Sequence, residues 1–224
     1  MEKILGEKVY SLHPLPDGFL FSYLIEKQEN NYTIGYKMVS FETGKISKVT
    51  KSIYMLTKFG AEYKRFVPKL KNYLTCFSVP MENGQTFIIE KDGSATLFDT
   101  DGLELWQGQM LYKDSAPGGV AVGNNTLWVS YPKYGVLIRY SLRTLREELR
   151  IGGDNSPLVG AKGLFLGGNK LFICCSEGEN NSIIKMDTKT YQTETCYEFK
   201  EPIKDYKFIS KYEIAVLKSG IYLL

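Results

Sequence analysis

The sequence predicts an all-β fold assembled from five units of four antiparallel strands. Three observations carry this: a recurring polar turn, a recurring apolar run upstream of it, and a near-constant spacing between the copies. The turn reads Ser40-Phe41-Glu42-Thr43, Asp99-Thr100-Asp101-Gly102, Ser141-Leu142-Arg143-Thr144 and Asp187-Thr188-Lys189-Thr190. It has a mechanism, because an Asp or Ser side chain accepts the backbone N–H two residues on and glycine tolerates a positive φ. The runs upstream are Gly18-Phe19-Leu20-Phe21, Thr86-Phe87-Ile88-Ile89, Thr126-Leu127-Trp128-Val129, Lys170-Leu171-Phe172-Ile173 and Glu213-Ile214-Ala215-Val216-Leu217. They are short and rich in β-branched and aromatic residues, which reads as strand and not helix. From Thr86 onward the starts lie 40, 44 and 43 residues apart.

Five units in 224 residues leave each enough chain for four strands, the blade of a β-propeller. The expected fold is a five-bladed β-propeller in one domain, residues 1–224. The last unit has only Ile221-Tyr222-Leu223-Leu224 after its second strand, and the chain opens on an unassigned segment, Lys3-Ile4-Leu5-Gly6-Glu7-Lys8-Val9. That N-terminal segment is expected to complete the last blade, joining edges that would otherwise stay open to other chains.

The stretch from Ala95 to Gln107 resembles the pyrroloquinoline-quinone type of propeller repeat, in which an Asp-x-x-Gly turn is followed by Leu-Trp, here Asp99 to Gly102 and then Leu105-Trp106. The resemblance implies blade architecture. The other units answer Trp106 with Leu149 and Tyr197, and no cofactor is expected.

Composition removes several functions. No run approaches the roughly 18 apolar residues of a membrane span. The N-terminus lacks the apolar block of a signal peptide, so a cytoplasmic location is expected. The four cysteines, Cys76, Cys174, Cys175 and Cys196, form no Cys-x-x-Cys hairpin, and His13 is the sole histidine. Neither a disulfide framework nor a metal site is expected. Cys174 and Cys175 should face opposite sides of one sheet. A Ser-His-Asp or Cys-His nucleophile would need His13, which reads as structural. Gly118-Gly119 and Gly152-Gly153 sit between strands and lack the strand-to-helix setting of a phosphate loop.

The spacing breaks once. Ser40 to Asp99 is 59 residues, and the surplus falls in about 51–71. Residues 45–71 carry eight basic side chains (Lys45, Lys48, Lys51, Lys58, Lys64, Arg65, Lys69, Lys71) against the single acid Glu62, interleaved with Tyr54, Phe59, Tyr63 and Phe66. Such a segment, read as a long loop, suits an anionic partner held by attraction and stacking. In the alternative reading, the aromatics pin the loop to the blades while the lysines are solvated.

The expected activity is non-catalytic binding of a protein partner, with an acidic one fitting the basic segment. The expected contacts are Lys58, Tyr63, Lys64 and Arg65, joined by Tyr131, Lys133 and Tyr134 on a loop of the same face, with Tyr131 and Tyr134 as exposed aromatics or as packing against a neighbouring blade. Single-stranded nucleic acid is a lesser alternative. The other is a lectin or glycoside hydrolase at the channel mouth, a small molecule or glycan its ligand, which would use Asp114, Asp154 and Asp205 as its carboxylates.

Overall fold

The computed structural model describes residues 1–6, 8–28, 31–81, 83–153 and 155–224. Strand β1 (Glu2–Leu5) precedes the first blade, β2 (Val9–Leu15), β3 (Gly18–Gln28), β4 (Asn31–Ser40) and β5 (Ile46–Lys48). The second blade is β6 (Phe77–Pro80), β7 (Thr86–Ile89), β8 (Ser94–Phe98) and β9 (Glu104–Gln109); the third is β10 (Gly119–Gly123), β11 (Thr126–Tyr131), β12 (Val136–Ser141) and β13 (Glu147–Gly152). The fourth runs β14 (Ala161–Gly167), β15 (Lys170–Glu177), β16 (Asn180–Asp187) and β17 (Thr193–Glu198). The fifth has β18 (Ile203–Ile209), β19 (Tyr212–Leu217) and β20 (Gly220–Leu223), and takes β1 as its outer strand, Lys3 opposite Tyr222 and Leu5 opposite Ile221. The chain is a five-bladed β-propeller closed by its N-terminal strand.

The turns work as the side chains dictate. Asp99 Oδ1 accepts the N–H of Asp101 and of Leu103, both at 2.8 Å, and Asp187 Oδ1 accepts those of Lys189 and Thr190 at 2.8 and 2.9 Å. Ser40 and Ser141 accept from Thr43 and Thr144, each at 3.3 Å. The copies differ in one respect. Gly102 takes the positive φ in the second blade, whereas in the others it falls to the residue after the threonine: Gly44, Leu145 and Tyr191.

Each blade buries both faces, and its two faces belong to different clusters. Phe19 and Phe21 of β3 pack against the fifth blade with Ile214, Val216 and Ile221, while Leu20 between them faces the second. Cys174 and Cys175 divide in the same way, the first toward the fifth blade and the second toward the third. Five clusters join the five neighbouring pairs, so the apolar interior is itself a ring.

The surplus segment is not a long loop. It forms helix α1 (Lys51–Phe59), a short helix α2 (Tyr63–Phe66) and a 3-10 turn, Val67–Lys69. Thr50 caps α1 by accepting the Ile53 N–H at 3.3 Å, and Gly60 ends it at φ +82°. Tyr54, Met55, Phe59 and Phe66 are buried in the cluster between the first and second blades, with Phe66 stacked on Phe98 at 5.2 Å between ring centroids. The aromatics hold the segment as a wedge. Each fully buried ring contributes on the order of 1.5–3 kcal/mol.

Candidate functional site: the central channel

The inner strands β2, β6, β10, β14 and β18, with the residues leading into them, line a cavity of about 410 Å³ on the propeller axis. Five lysines reach it: Lys58 from α1, Lys91 from the turn after β7, Lys162 from β14, and Lys204 and Lys207 from β18. Asp205 is the one carboxylate among the described residues that line it. The whole chain carries a net charge of +3, so this cavity concentrates positive charge beyond its share.

The backbone delivers two of these lysines by the same device. In β14, Ala161 and Gly163 pair with Cys175 and Cys174, leaving Lys162 as an extra residue; in β18, Ile203 and Asp205 pair with Leu217 and Val216, leaving Lys204. Tyr10 is the extra residue of β2 in the same place, between Val9 and Ser11. A bulge re-aims its side chain, and all three line the channel. They stand near the start of their strands and so mark one mouth of the channel.

The ammonium groups are only partly satisfied. Lys58 Nζ donates to the carbonyls of Tyr73 (2.5 Å) and Leu74 (3.1 Å), Lys162 Nζ to that of Ser176 (2.8 Å), and Lys204 Nζ to that of Val9 (3.5 Å). Lys207 pairs with Asp205 at 2.7 Å. Lys91 lies over the Phe77 ring, 4.8 Å from its centroid. Burial pulls the Lys58 pKa down to about 8, with Lys91 pulling the same way against Cys76. Desolvation also lowers Lys91, which Asp205 partly restores, and lowers Lys204, beside Lys8 and Lys218. At neutral pH Lys58 therefore stays largely protonated.

His13 lies on the same wall. Its Nε2 is 3.4 Å from the Tyr54 hydroxyl, which sits 2.5 Å from Ser11 Oγ, itself 2.7 Å from Ser22 Oγ. Burial, then Lys58 and Lys207, lower the His13 pKa to about 3, so its ring is neutral at physiological pH. Burial raises the thiols of Cys76, Cys174 and Cys175, which makes them poor nucleophiles there.

The residues expected from sequence are scattered. Lys58 enters the channel and is not a solvated surface charge. Arg65 turns inward on the second blade, its guanidinium donating to Thr100 O at 3.0 Å and Asp101 Oδ1 at 2.6 Å while also meeting Glu62 at 2.9 Å. Lys69 donates to Gly102 O at 2.9 Å. Tyr63 is half-buried against the cluster between the first two blades, and Lys64 is exposed. Tyr131 is not an exposed contact: it is 0% exposed as the last residue of β11, its hydroxyl 3.1 Å from that of Tyr140. Pro132 starts the loop one residue later than the sequence suggests.

Lys133 and Tyr134 both donate to Asp114, and they hold its carboxyl down to about 2. A glycosidase acid needs the opposite shift. Asp114 does not line the cavity that Asp205 lines. Asp154, the third of the expected carboxylates, lies outside the described residues.

Sequence reasoning missed Lys91, Lys162, Lys204 and Lys207 as a group. The signal was present in the repeat, since Ala161-Lys162-Gly163-Leu164 and Ile203-Lys204-Asp205-Tyr206 align at the start of their inner strands.

The chain is structurally similar to Sqt1 of Saccharomyces cerevisiae, with a TM-score of 0.52 and 12% identity over 96% of this chain and 70% of that one. It is similar to the computationally designed Ika4 protein at a TM-score of 0.50 and 14% identity, over 69% and 94% of the two chains. A streptogramin B lyase matches at a TM-score of 0.47 and 14% identity, covering 98% of this chain and 70% of that one. The likeness is one of fold. No family model and no curated protein matches the chain. Among the described residues, no helix is long and apolar enough to cross a membrane.

Proposed function

We propose that this propeller is a non-catalytic scaffold that receives an acidic protein partner on the face around the lysine-bearing mouth of the channel. The observation that carries the reading is the first hairpin. Val9, at the start of β2, pairs with Tyr23, so residues 24–28 of β3 and their partners on β4 run on past the inner strand. They stand beside the mouth as a ridge on which Ile25 is 57% and Tyr32 54% exposed. A ridge with two exposed apolar side chains set among polar ones, next to a positive opening, suits a partner with one apolar contact ringed by carboxylates, since buried aromatic and aliphatic anchors supply binding energy while charge steers the encounter.

The placement of the carboxylates favours binding over hydrolysis. Asp205 is committed to Lys207 and Asp114 to Lys133 and Tyr134, away from any shared cavity. Nucleic acid is disfavoured because Arg65, Lys69 and Lys71 already answer acids and carbonyls of the second blade.

The test is capture from a lysate of the source cells with wild-type protein and the Ile25→Asp/Tyr32→Ser variant, after nuclease treatment. A protein retained by the first and lost by the second supports the reading. Equal retention by both, or a catch that nuclease abolishes, overturns it.

A further inference from the structure

The geometry points to the channel itself as a binding site for a small multivalent anion, a free compound bearing phosphates or clustered carboxylates, distinct from the protein partner outside. An ammonium has three N–H donors. Lys162 and Lys204 each use one on a protein carbonyl, and Lys58 uses two. Lys91 donates no hydrogen bond to any described residue; it lies over the Phe77 ring, and Asp205, the carboxylate that supports its charge, is already paired with Lys207.

Five cations sharing a cavity of about 410 Å³ with one carboxylate repel one another, and the repulsion costs more at the half-buried Lys58, Lys204 and Lys207 than at the exposed Lys91 and Lys162. A dianion or trianion placed among them removes that repulsion and takes up the uncommitted donors. Charge-assisted N–H···O bonds to phosphate or carboxylate are about twice as strong as neutral ones. Among the described residues the rest of the wall adds no acid: Gly118, Gly119 and Gly163 leave backbone bare, Thr75 and Ser78 offer hydroxyls, and most of the remainder is apolar. Glycine at 119 and 163 is also a matter of space, since a Cβ on Gly119 would stand 2.9 Å from the backbone of Gly163. A cavity of about 410 Å³ limits the ligand to a compact molecule and keeps out a folded chain.

The experiment is calorimetric titration of the full chain with sodium pyrophosphate and with sodium citrate at low ionic strength. Three variants accompany it: Lys91→Met/Lys162→Met, whose side chains leave a turn and a bulge; Lys58→Met; and the control Lys64→Met outside the channel. One-site binding of either probe, weakened at least about tenfold, or about 1.4 kcal/mol, by the double variant and unchanged by Lys64→Met, supports the site. A preference for pyrophosphate assigns phosphate as the group recognised, and a preference for citrate assigns carboxylate. No binding of either at millimolar concentration by folded wild-type protein overturns the proposal. So does equal affinity in the double variant. The Ile25→Asp/Tyr32→Ser variant should bind the probes like wild type, so partner binding and anion binding fail independently.

Discussion

The carbonyl oxygen of Leu5 lies 1.9 Å from the point where a Cβ on Gly220 would stand. The closing strand can approach β20 only because residue 220 has no side chain, and Gly220 also holds a φ of +145°, a conformation that L side chains rarely adopt. Gly220→Ala must push β1 away from the last blade or distort β20. The expected loss is about 2–4 kcal/mol of unfolding free energy, in line with strain at a special backbone position. Urea denaturation measures it, and an unchanged midpoint would mean that closure by β1 contributes little.

His13 ties stability to acid. Its pKa is about 3 in the folded chain against 6.5 when free, so the unfolded chain binds the extra proton between those values. Stability is therefore full above pH 6.5 and falls as the pH drops toward 3, by up to about 1.4 kcal/mol per unit. In His13→Gln this slope should be missing. Denaturation curves collected across the window compare the two, and parallel slopes would sink the assignment.

Lys58 makes the opposite prediction at alkaline pH. Its pKa is about 8 folded and 10.5 unfolded, so the cost of enclosing its charge is present in full below 8 and is relieved as the pH rises to 10.5. Wild type should gain stability relative to Lys58→Met across that interval. A flat difference between the two proteins would place the Lys58 ammonium in ordinary solvent.

The wedge between the first and second blades separates charge from packing. Arg65 and Asp101 are 45% and 73% exposed, and an ion pair in that setting is worth up to about 1 kcal/mol. Asp101→Asn should therefore cost under about 1 kcal/mol. Phe66→Ala, which empties the space under Phe98, should cost about 3–5 kcal/mol. Thermal unfolding of the two variants side by side decides it, and a reversed order would mean that the wedge is held by its charges.

The blades were legible because their turns are local chemistry: Asp99 and Asp187 hold backbone N–H groups two to four residues away, within any reading window. The wedge was half legible. Its surplus length and inward aromatics can be read, yet the capping Thr50, the closing Gly60 and the helical spacing of Tyr54, Met55 and Phe59 between them were overshadowed by the density of lysines. Tyr131 reads equally as a loop contact or as packing, because it directly precedes the Pro132 that starts the loop, and the structure makes it the last, buried residue of the strand. The channel was the least legible part. Lys58 and Lys91 arrive there from elements that do not line it in sequence order, and a bulge shows only when a strand is set against its partner.

Those bulges leave Tyr10, Lys162 and Lys204 without a cross-strand partner, so the pairing ladder exerts no demand on what they are. The first, fourth and fifth blades can each change their contribution to the mouth by a single substitution while register, turns and interblade packing stay as they are. The same mouth can thus drift from one ligand to another without passing through a misfolded intermediate, and these three positions are where related chains should be compared first.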